Sequence, residues 1–405
     1  MNTNIAPRLS YSGYDGNLAG LHANDELVVT VERDLGGLKS LWRDLERRAA
    51  GHVYQSYNWV SLWHGTVGRR DGVVPYVAVG RAGDGRALFL LPLGLSRMGG
   101  ATLLVWLGGC EADVKCGLFD RDFLDQLSAP EWASLWQRVL TQLPKFDAVY
   151  LDDQPDSLDG RRNPLAAGKT HLLADCTHAT QLSGDWDTFY KSKRNGAARN
   201  LEKRRMRQLT AAGELRFEIA EGTGNAIVLM ERLMAEKAKS LARMGVSDPF
   251  ADATVREFYL QQTRRLVPNG TGHLSALTVD GNPVSLVWGN VFNKRFYYLV
   301  PVYDPAFSRA SPGRLHLREL LRWSLENGIE TFDMGVGEQD YKFNWCEEHV
   351  GLFATIEART LRGYAITILL GSKTWFKRRI KTSKTLWPVA QTMRAQFAAL
   401  VGQNG

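Results

Sequence analysis

Between Asp333 and Lys342 the chain reads Asp-Met-Gly-Val-Gly-Glu-Gln-Asp-Tyr-Lys, a run that gathers three acids, two glycines, a tyrosine and a lysine. A carboxylate can take a proton from an attacking amine, and a tyrosine or lysine can donate one or face a developing negative charge. Asp333 is expected as the base, or as a carboxylate that orients an acceptor. Glu338 and Asp340 would relay the proton to solvent. Tyr341 and Lys342 would stabilise an oxyanion or a leaving group. The same residues allow a structural reading, in which Asp333 caps the Gly335–Gly337 turn and Lys342 holds a phosphate.

A second group stands just upstream: Ser308-Arg309-Ala310-Ser311-Pro312-Gly313-Arg314. A helix beginning at Pro312 would offer free N–H groups and a partial positive charge. Pro312 suits a first turn because it has no N–H to leave unpaired. Gly313 admits close approach of an anion, and Arg309 and Arg314 flank the loop as charged donors. Arg309, Ser311, Gly313 and Arg314 are the expected phosphate cradle.

The flanking pattern says what holds these groups. Arg295–Val302 reads as an aromatic-rich strand and Pro312–Asn327 as a helix stopped by Gly328; Thr331–Met334 reads as the strand that delivers Asp333. Ligands of open α/β sheets sit beyond the carboxyl ends of such strands. Upstream, His273–Val279 and Pro283–Asn290 flank the hairpin turn Asp280-Gly281-Asn282. Glu214–Ile219 is an expected strand, and Ala226–Arg243 and Ala253–Leu266 expected helices. A single long basic helix is expected over Lys191–Ala212, closed by Gly213.

The first half repeats the theme. Strands are expected at Glu26–Glu32, Pro75–Arg81, Arg86–Arg97, Leu103–Leu107 and Ala148–Leu151. Helices are expected at Leu35–Ala49, Tyr57–Val67 and Pro130–Leu143. The polar stretch Asp152–Gly168 reads as a loop or boundary, and Gly351–Arg359 as a last strand. The ordering is that of a mixed α/β sheet flanked by helices, used twice.

Composition narrows the function. Hydrophobic residues make up 44% of the 405, enough for an ordinary core. The N-terminus lacks a signal-peptide pattern, and the longest apolar runs are too short to span a bilayer. A cytoplasmic location follows as the expectation, with a peripheral place on the inner membrane face as an option. The four cysteines, Cys110, Cys116, Cys176 and Cys346, make no zinc spacing, and Cys110, Asp113 and Cys116 are expected to be structural; no metal is expected. The net charge of +7 is concentrated: Lys191–Arg207 holds eight basic residues against one acid, and Lys373–Lys384 holds six and no acid. Such blocks suit phosphates, nucleic acid or an anionic membrane. There is no nucleophile elbow, Walker loop or HExxH motif.

These motifs carry a resemblance. YDPAFSRASPGRLHL, a helix, then GIETFDMGVGEQDYKFNW resembles the branch of the GNAT acetyltransferase superfamily named after cellulose-biosynthesis proteins (CelD-like). YNWVSLW (Tyr57–Trp63), LPLGL, LDDQPDSLDGRRN and the helix with Arg204-Arg205 extend it over most of 50–360. The resemblance implies two tandem GNAT-like halves, as in Fem-type peptidyltransferases. Residues 1–180 would form the first half, 181–370 the second half with the donor loop, and 371–405 a basic helical tail. It implies N-acyl transfer by direct attack, with acyl-CoA, acetyl-CoA foremost, as co-substrate. The acceptor would be an amine on a small molecule, an amino sugar or an envelope polysaccharide precursor. Aminoacyl transfer from tRNA and a non-catalytic scaffold role are the alternatives. The chain departs from the usual Arg/Gln-x-x-Gly-x-Gly/Ala loop at Pro312 and Arg314, which leaves a donor other than acetyl-CoA open. The interleaved Trp375, Phe376, Ile380, Leu386 and Trp387 among the tail's basic residues suggest an anionic membrane surface, or a helix docked through its tryptophans.

Overall fold

The computed structural model describes residues 27–383 and 385–387. The first half runs β1 (Val28–Glu32), α1 (Lys39–Glu46), β2 (Ala49–Ala50), α2 (Tyr57–Trp63), β3 (Val74–Arg81), β4 (Ala87–Met98), β5 (Ala101–Trp106) and β6 (Leu118–Asp120). It continues through α3 (Arg121–Gln126), α4 (Ala129–Gln142), β7 (Ala148–Pro155) and the short hairpin β8 (Ser157–Leu158) and β9 (Arg161–Arg162). Then come β10 (His171–Gln181), α5 (Trp186–Lys193), α6 (Gly196–Thr210), β11 (Leu215–Ile219), α7 (Thr223–Arg243) and α8 (Ala253–Leu266). β12 (Gly272–Val279), β13 (Asn282–Phe292), β14 (Arg295–Tyr303), α9 (Pro312–Glu326), β15 (Thr331–Val336), α10 (Asp340–Phe343), β16 (Glu348–Ala358) and α11 (Leu361–Thr382) complete the order.

Both halves share one mixed sheet in the order β1-β3-β4-β5-β7-β16-β10-β15-β14-β13-β12-β11. The seam is β16. This last strand leaves the second half to pair antiparallel with β7 on one side and β10 on the other. Apolar packing crosses the same seam. Trp59 meets Phe258 edge-on at 5.4 Å, and Tyr54 meets Tyr297 at 6.0 Å, within one continuous core. No described helix is long and apolar enough to cross a membrane.

Local chemistry explains most boundaries. Ser56 caps α2 by accepting from the Trp59 N–H, and Ser128 and Glu131 form a capping box on α4. Asp280 and Gly281 both take positive φ, the geometry of a two-residue hairpin turn.

Two expectations are corrected. The basic segment is two helices, because Arg194 is extended and Asn195 caps α6 by accepting from the Ala198 N–H at 2.9 Å. Asn followed by Gly breaks the first helix and starts the second. The segment 152–168 is only partly loop. β7 runs on to Pro155, and the unforeseen β10 follows, mostly part-buried as far as Cys176 and buried over Thr177–Thr180, with no clean alternation. The expected boundary at 180/181 thus falls inside a strand.

The tail helix α11 docks with Gly363, Ile366, Leu370 and Gly371 turned to the sheet. A Cβ at Gly363 would lie 1.9 Å from the Asp147 carbonyl, so only glycine admits this approach. Lys381 pairs with Asp175. Trp375 stays 57% exposed, so it is not the docking residue. Lys384 and residues 388–405 lie outside the described residues.

Candidate functional site

β14 and β15 are parallel neighbours, but they pair only over Arg295–Tyr297 and Thr331–Asp333. Beyond these residues β14 continues to Tyr303 and β15 to Val336 without pairing each other. The strands therefore splay. A cavity of about 480 Å³ opens beside the splay, lined by Tyr298, Tyr303, Gly313, Arg314, Arg205 and Tyr341 among others.

The first turn of α9 forms one wall. Ser311 sits at φ 50°, ψ 57°, a left-handed backbone that a serine adopts at some cost. The N–H groups of Arg314 and Leu315 return to the Ser311 carbonyl. The Gly313 N–H has no hydrogen-bond partner among the described residues. Arg205, on α6, is held below the usual arginine range by burial and then by the neighbouring Arg314 guanidinium. Two guanidiniums close enough to repel, beside a helix N-terminus, make a local excess of positive charge that an anion would relieve. Lys237 from α7 donates to the Pro301 carbonyl at 3.0 Å, and burial lowers its pKa. Of the expected cradle, Ser311, Gly313 and Arg314 line the cavity. Arg309 is exposed and outside it, and Ser308 lines it instead.

The acidic run divides. Asp333 is 3% exposed, and both its carboxylate oxygens are engaged: one accepts from the Gly335 N–H at 2.7 Å, the other from Arg295 at 3.1 Å. Gly335 and Gly337 take φ of 68° and 122°, so the turn after β15 needs these glycines. Lys342 is 3% exposed and donates to the Gly335 and Val336 carbonyls at 3.2 and 2.7 Å. Burial lowers its pKa, opposed by Asp113 and Asp333. Tyr341 reaches the cavity, its hydroxyl pushed up to about 12 by burial. Glu338 and Asp340 are exposed, and Glu338 accepts from the Cys176 thiol at 3.3 Å rather than approaching Asp333.

One group comes from the other half. Asp113, in the segment between β5 and β6, faces open space although protein crowds it; it accepts from the Tyr54 hydroxyl at 3.3 Å. A Cβ built on Gly335 would stand 3.4 Å from its Oδ2, which puts the carboxylate at the C-terminal end of β15. Burial raises the Asp113 pKa, with Tyr54 and Lys342 opposing. Cys116 does not join it; its thiol donates to Gln55 at 3.0 Å inside the first half's core. No sequence signal marks Asp113, because only the packing of the halves brings it to β15.

Comparison with known proteins agrees with this anatomy. The family model described as "Acetyltransferase (GNAT) domain" matches residues 196–343, the segment that holds α6, the splayed strands, α9 and Lys342. Among solved structures, the chain is similar to FemX, at 12% identity and a TM-score of 0.55, over 85% of this chain and 99% of that one. It is also similar to the C-terminal domain of a protein described as a lysylphosphatidylglycerol synthetase, from Agrobacterium fabrum. That match has 12% identity and a TM-score of 0.50, over 82% of this chain and 95% of that one. At such identities the likeness concerns the fold. No curated protein sequence matches the chain. The splayed strands, the open helix N-terminus beside them and the family match coincide: the chain carries a GNAT acetyltransferase domain over residues 196–343, which supports an acyltransferase.

Proposed function

We propose that the protein transfers an acyl group from an acyl-CoA-type thioester to an amine. The observation that carries this reading is the pairing of Arg205 with Arg314 over the unpartnered Gly313 N–H, at the mouth of a cavity leading into the splay. These groups suit the pyrophosphate of the donor, and the gap between β14 and β15 suits its extended arm. Residues 181–370 would thus be the donor half, and the first half would supply the acceptor side.

In this reading Asp113 is the base. The amine nitrogen attacks the thioester carbonyl and passes its proton to Asp113. Lys342 supplies positive charge to the tetrahedral oxyanion. Tyr341, protonated at neutral pH, gives its proton to the departing thiolate. Asp333, whose oxygens are both in use, is a positioning residue that fixes the turn and Arg295. Calorimetry with acetyl-CoA tests the donor. Saturable binding is expected, weakened about tenfold or more by Arg314→Ala, because a hydrogen bond to a charged group contributes roughly 1.5–3 kcal/mol. Absence of saturable binding of any CoA thioester would overturn the reading.

A cellulose-biosynthesis-type role, with an amino sugar or polysaccharide precursor as acceptor, rests on the motif resemblance. Aminoacyl-tRNA as donor is the second reading, favoured by Lys203, Arg204 and Arg207 exposed on α6 and by the Fem-type architecture that the motif resemblance implies. Salt-dependent tRNA binding together with failure to bind CoA would establish it.

We also propose that α11 lies on an anionic membrane. Leu361, Tyr364, Ile368, Leu369, Trp375 and Phe376 recur at helical spacing on its outer face, and Leu369 is 62% exposed. Lys373, Lys377, Arg378 and Arg379 flank that stripe. An apolar row bordered by lysine and arginine suits the headgroup boundary of an anionic bilayer.

A further inference from the structure

The acyl-transfer reading leaves one polar cluster unused. Cys176 and His178 lie two residues apart on β10, and Glu338 reaches them from the loop after β15. Their donor atoms converge: Cys176 Sγ is 3.5 Å from His178 Nε2 and 3.3 Å from Glu338 Oε1, and the latter two are 4.0 Å apart. A tetrahedral zinc ion with ordinary ligand bonds of roughly 2.0–2.3 Å sets sulfur about 3.5 Å from nitrogen or oxygen, and nitrogen about 3.4 Å from oxygen. Both sulfur separations match. The third closes with a small turn of Glu338, whose side chain is 42% exposed and free to move.

The imidazole is also oriented as a ligand would be. His178 is fully buried, and its Nδ1 meets Nδ1 of His349 on β16 at 2.8 Å. A proton on His178 Nδ1 donated to His349 leaves Nε2 with its lone pair toward Cys176 and Glu338. Ligating histidines ordinarily use their second nitrogen in this way. Phe343 packs edge-on against His178 at 4.9 Å and walls one side. Glu338 and His349 are exposed, so the other side opens to solvent.

We propose that Cys176, His178 and Glu338 bind a zinc-class divalent cation, with His349 as the residue that orients His178 and one coordination position left for water or a ligand atom. Binding sends the Cys176 thiol proton to solvent. The thiolate and the carboxylate then balance the dication, and the neutral imidazole completes the set. Lys342 does not compete for these ligands, since its ammonium is bonded to the Gly335 and Val336 carbonyls. No motif announced the site because its ligands come from a strand and a distant loop.

The full-length protein, stripped with a chelator and titrated with Zn²⁺ and with Co²⁺, tests this. One equivalent per chain is expected, with thiolate-to-cobalt charge-transfer absorption in the near ultraviolet. Cys176→Ser should abolish that absorption, with circular dichroism confirming the fold, and Glu338→Gln, at an exposed side chain, should weaken Zn²⁺ binding at least tenfold. His349→Ala should weaken it about 10–100-fold while keeping the absorption. Absence of stoichiometric binding overturns the proposal. So does equal affinity in Cys176→Ser and Glu338→Gln, or loss of the absorption in Cys110→Ser, which would move the metal to Cys110.

Discussion

Replacing Asp113 by Asn separates the two carboxylates that flank the turn after β15. Asp113 accepts one long hydrogen bond from Tyr54 and carries a pKa raised by burial, so its charged form is strained in the folded protein. For an acid raised in this way, ionisation above the folded pKa costs stability, and neutralising the group removes that cost. Asp113→Asn should therefore keep or raise the melting temperature at neutral pH. Its turnover should fall by about a hundredfold or more, the usual worth of a general base, equivalent to roughly 2.7 kcal/mol in the barrier. Asp333→Asn should behave in reverse. It discharges an ion pair with a buried arginine and keeps only one acceptor for Gly335, so roughly 1–3 kcal/mol of stability is lost, discounted because Asp159 still faces Arg295 at 3.4 Å. The pH profile adds a second readout. The base must be deprotonated, so activity rises with pH through the raised Asp113 pKa. Lys342 must be protonated, so activity falls as pH rises through its lowered pKa. The acidic limb should vanish in Asp113→Asn and the alkaline limb in Lys342→Met. Thermal melts and steady-state kinetics on purified variants measure all of this. A folded Asp113→Asn enzyme with full turnover and an unchanged acidic limb would refute the assignment.

Gly313→Asp should weaken donor binding by well over tenfold, because a carboxylate there faces the same cavity as Arg314; at this position the Cβ itself meets Tyr303 at an ordinary 3.4 Å, so Gly313→Ala should bind nearly normally. Equal affinity of the Asp variant, by calorimetry, would make the loop structural. Leu369→Glu with Phe376→Glu should abolish co-sedimentation with anionic vesicles and leave binding of acetyl-CoA unchanged; full retention on the vesicles would remove α11 from the membrane. Asn195→Ala should cost about 1 kcal/mol through loss of the α6 cap, read by denaturant unfolding.

Elements whose signals are local were legible in the order of residues alone. The Asp280-Gly281 turn, the Pro312 start of α9 and the glycines after Asp333 fix backbone geometry within a few residues, so pattern and propensity suffice to place them. The grouping of Ser311, Gly313 and Arg314 around one cavity was legible for the same reason: they belong to one turn. The break at Asn195 was also written in the chain, but the continuous run of basic residues concealed it. What depends on pairs remote in sequence emerged only on folding. β16 joins the halves into one sheet because its two hydrogen-bonding edges find β7 and β10, which no periodicity encodes. Arg205 meets Arg314 only in the folded chain. An acid beside glycines can serve as base or as cap, and only the folded chain shows that Arg295 and the Gly335 N–H occupy both oxygens of Asp333. Asp113 comes beside Gly335 only through packing, because β15 lies in the other half. Burial and proximity set what a carboxylate can do, and both belong to the folded chain rather than to the residue.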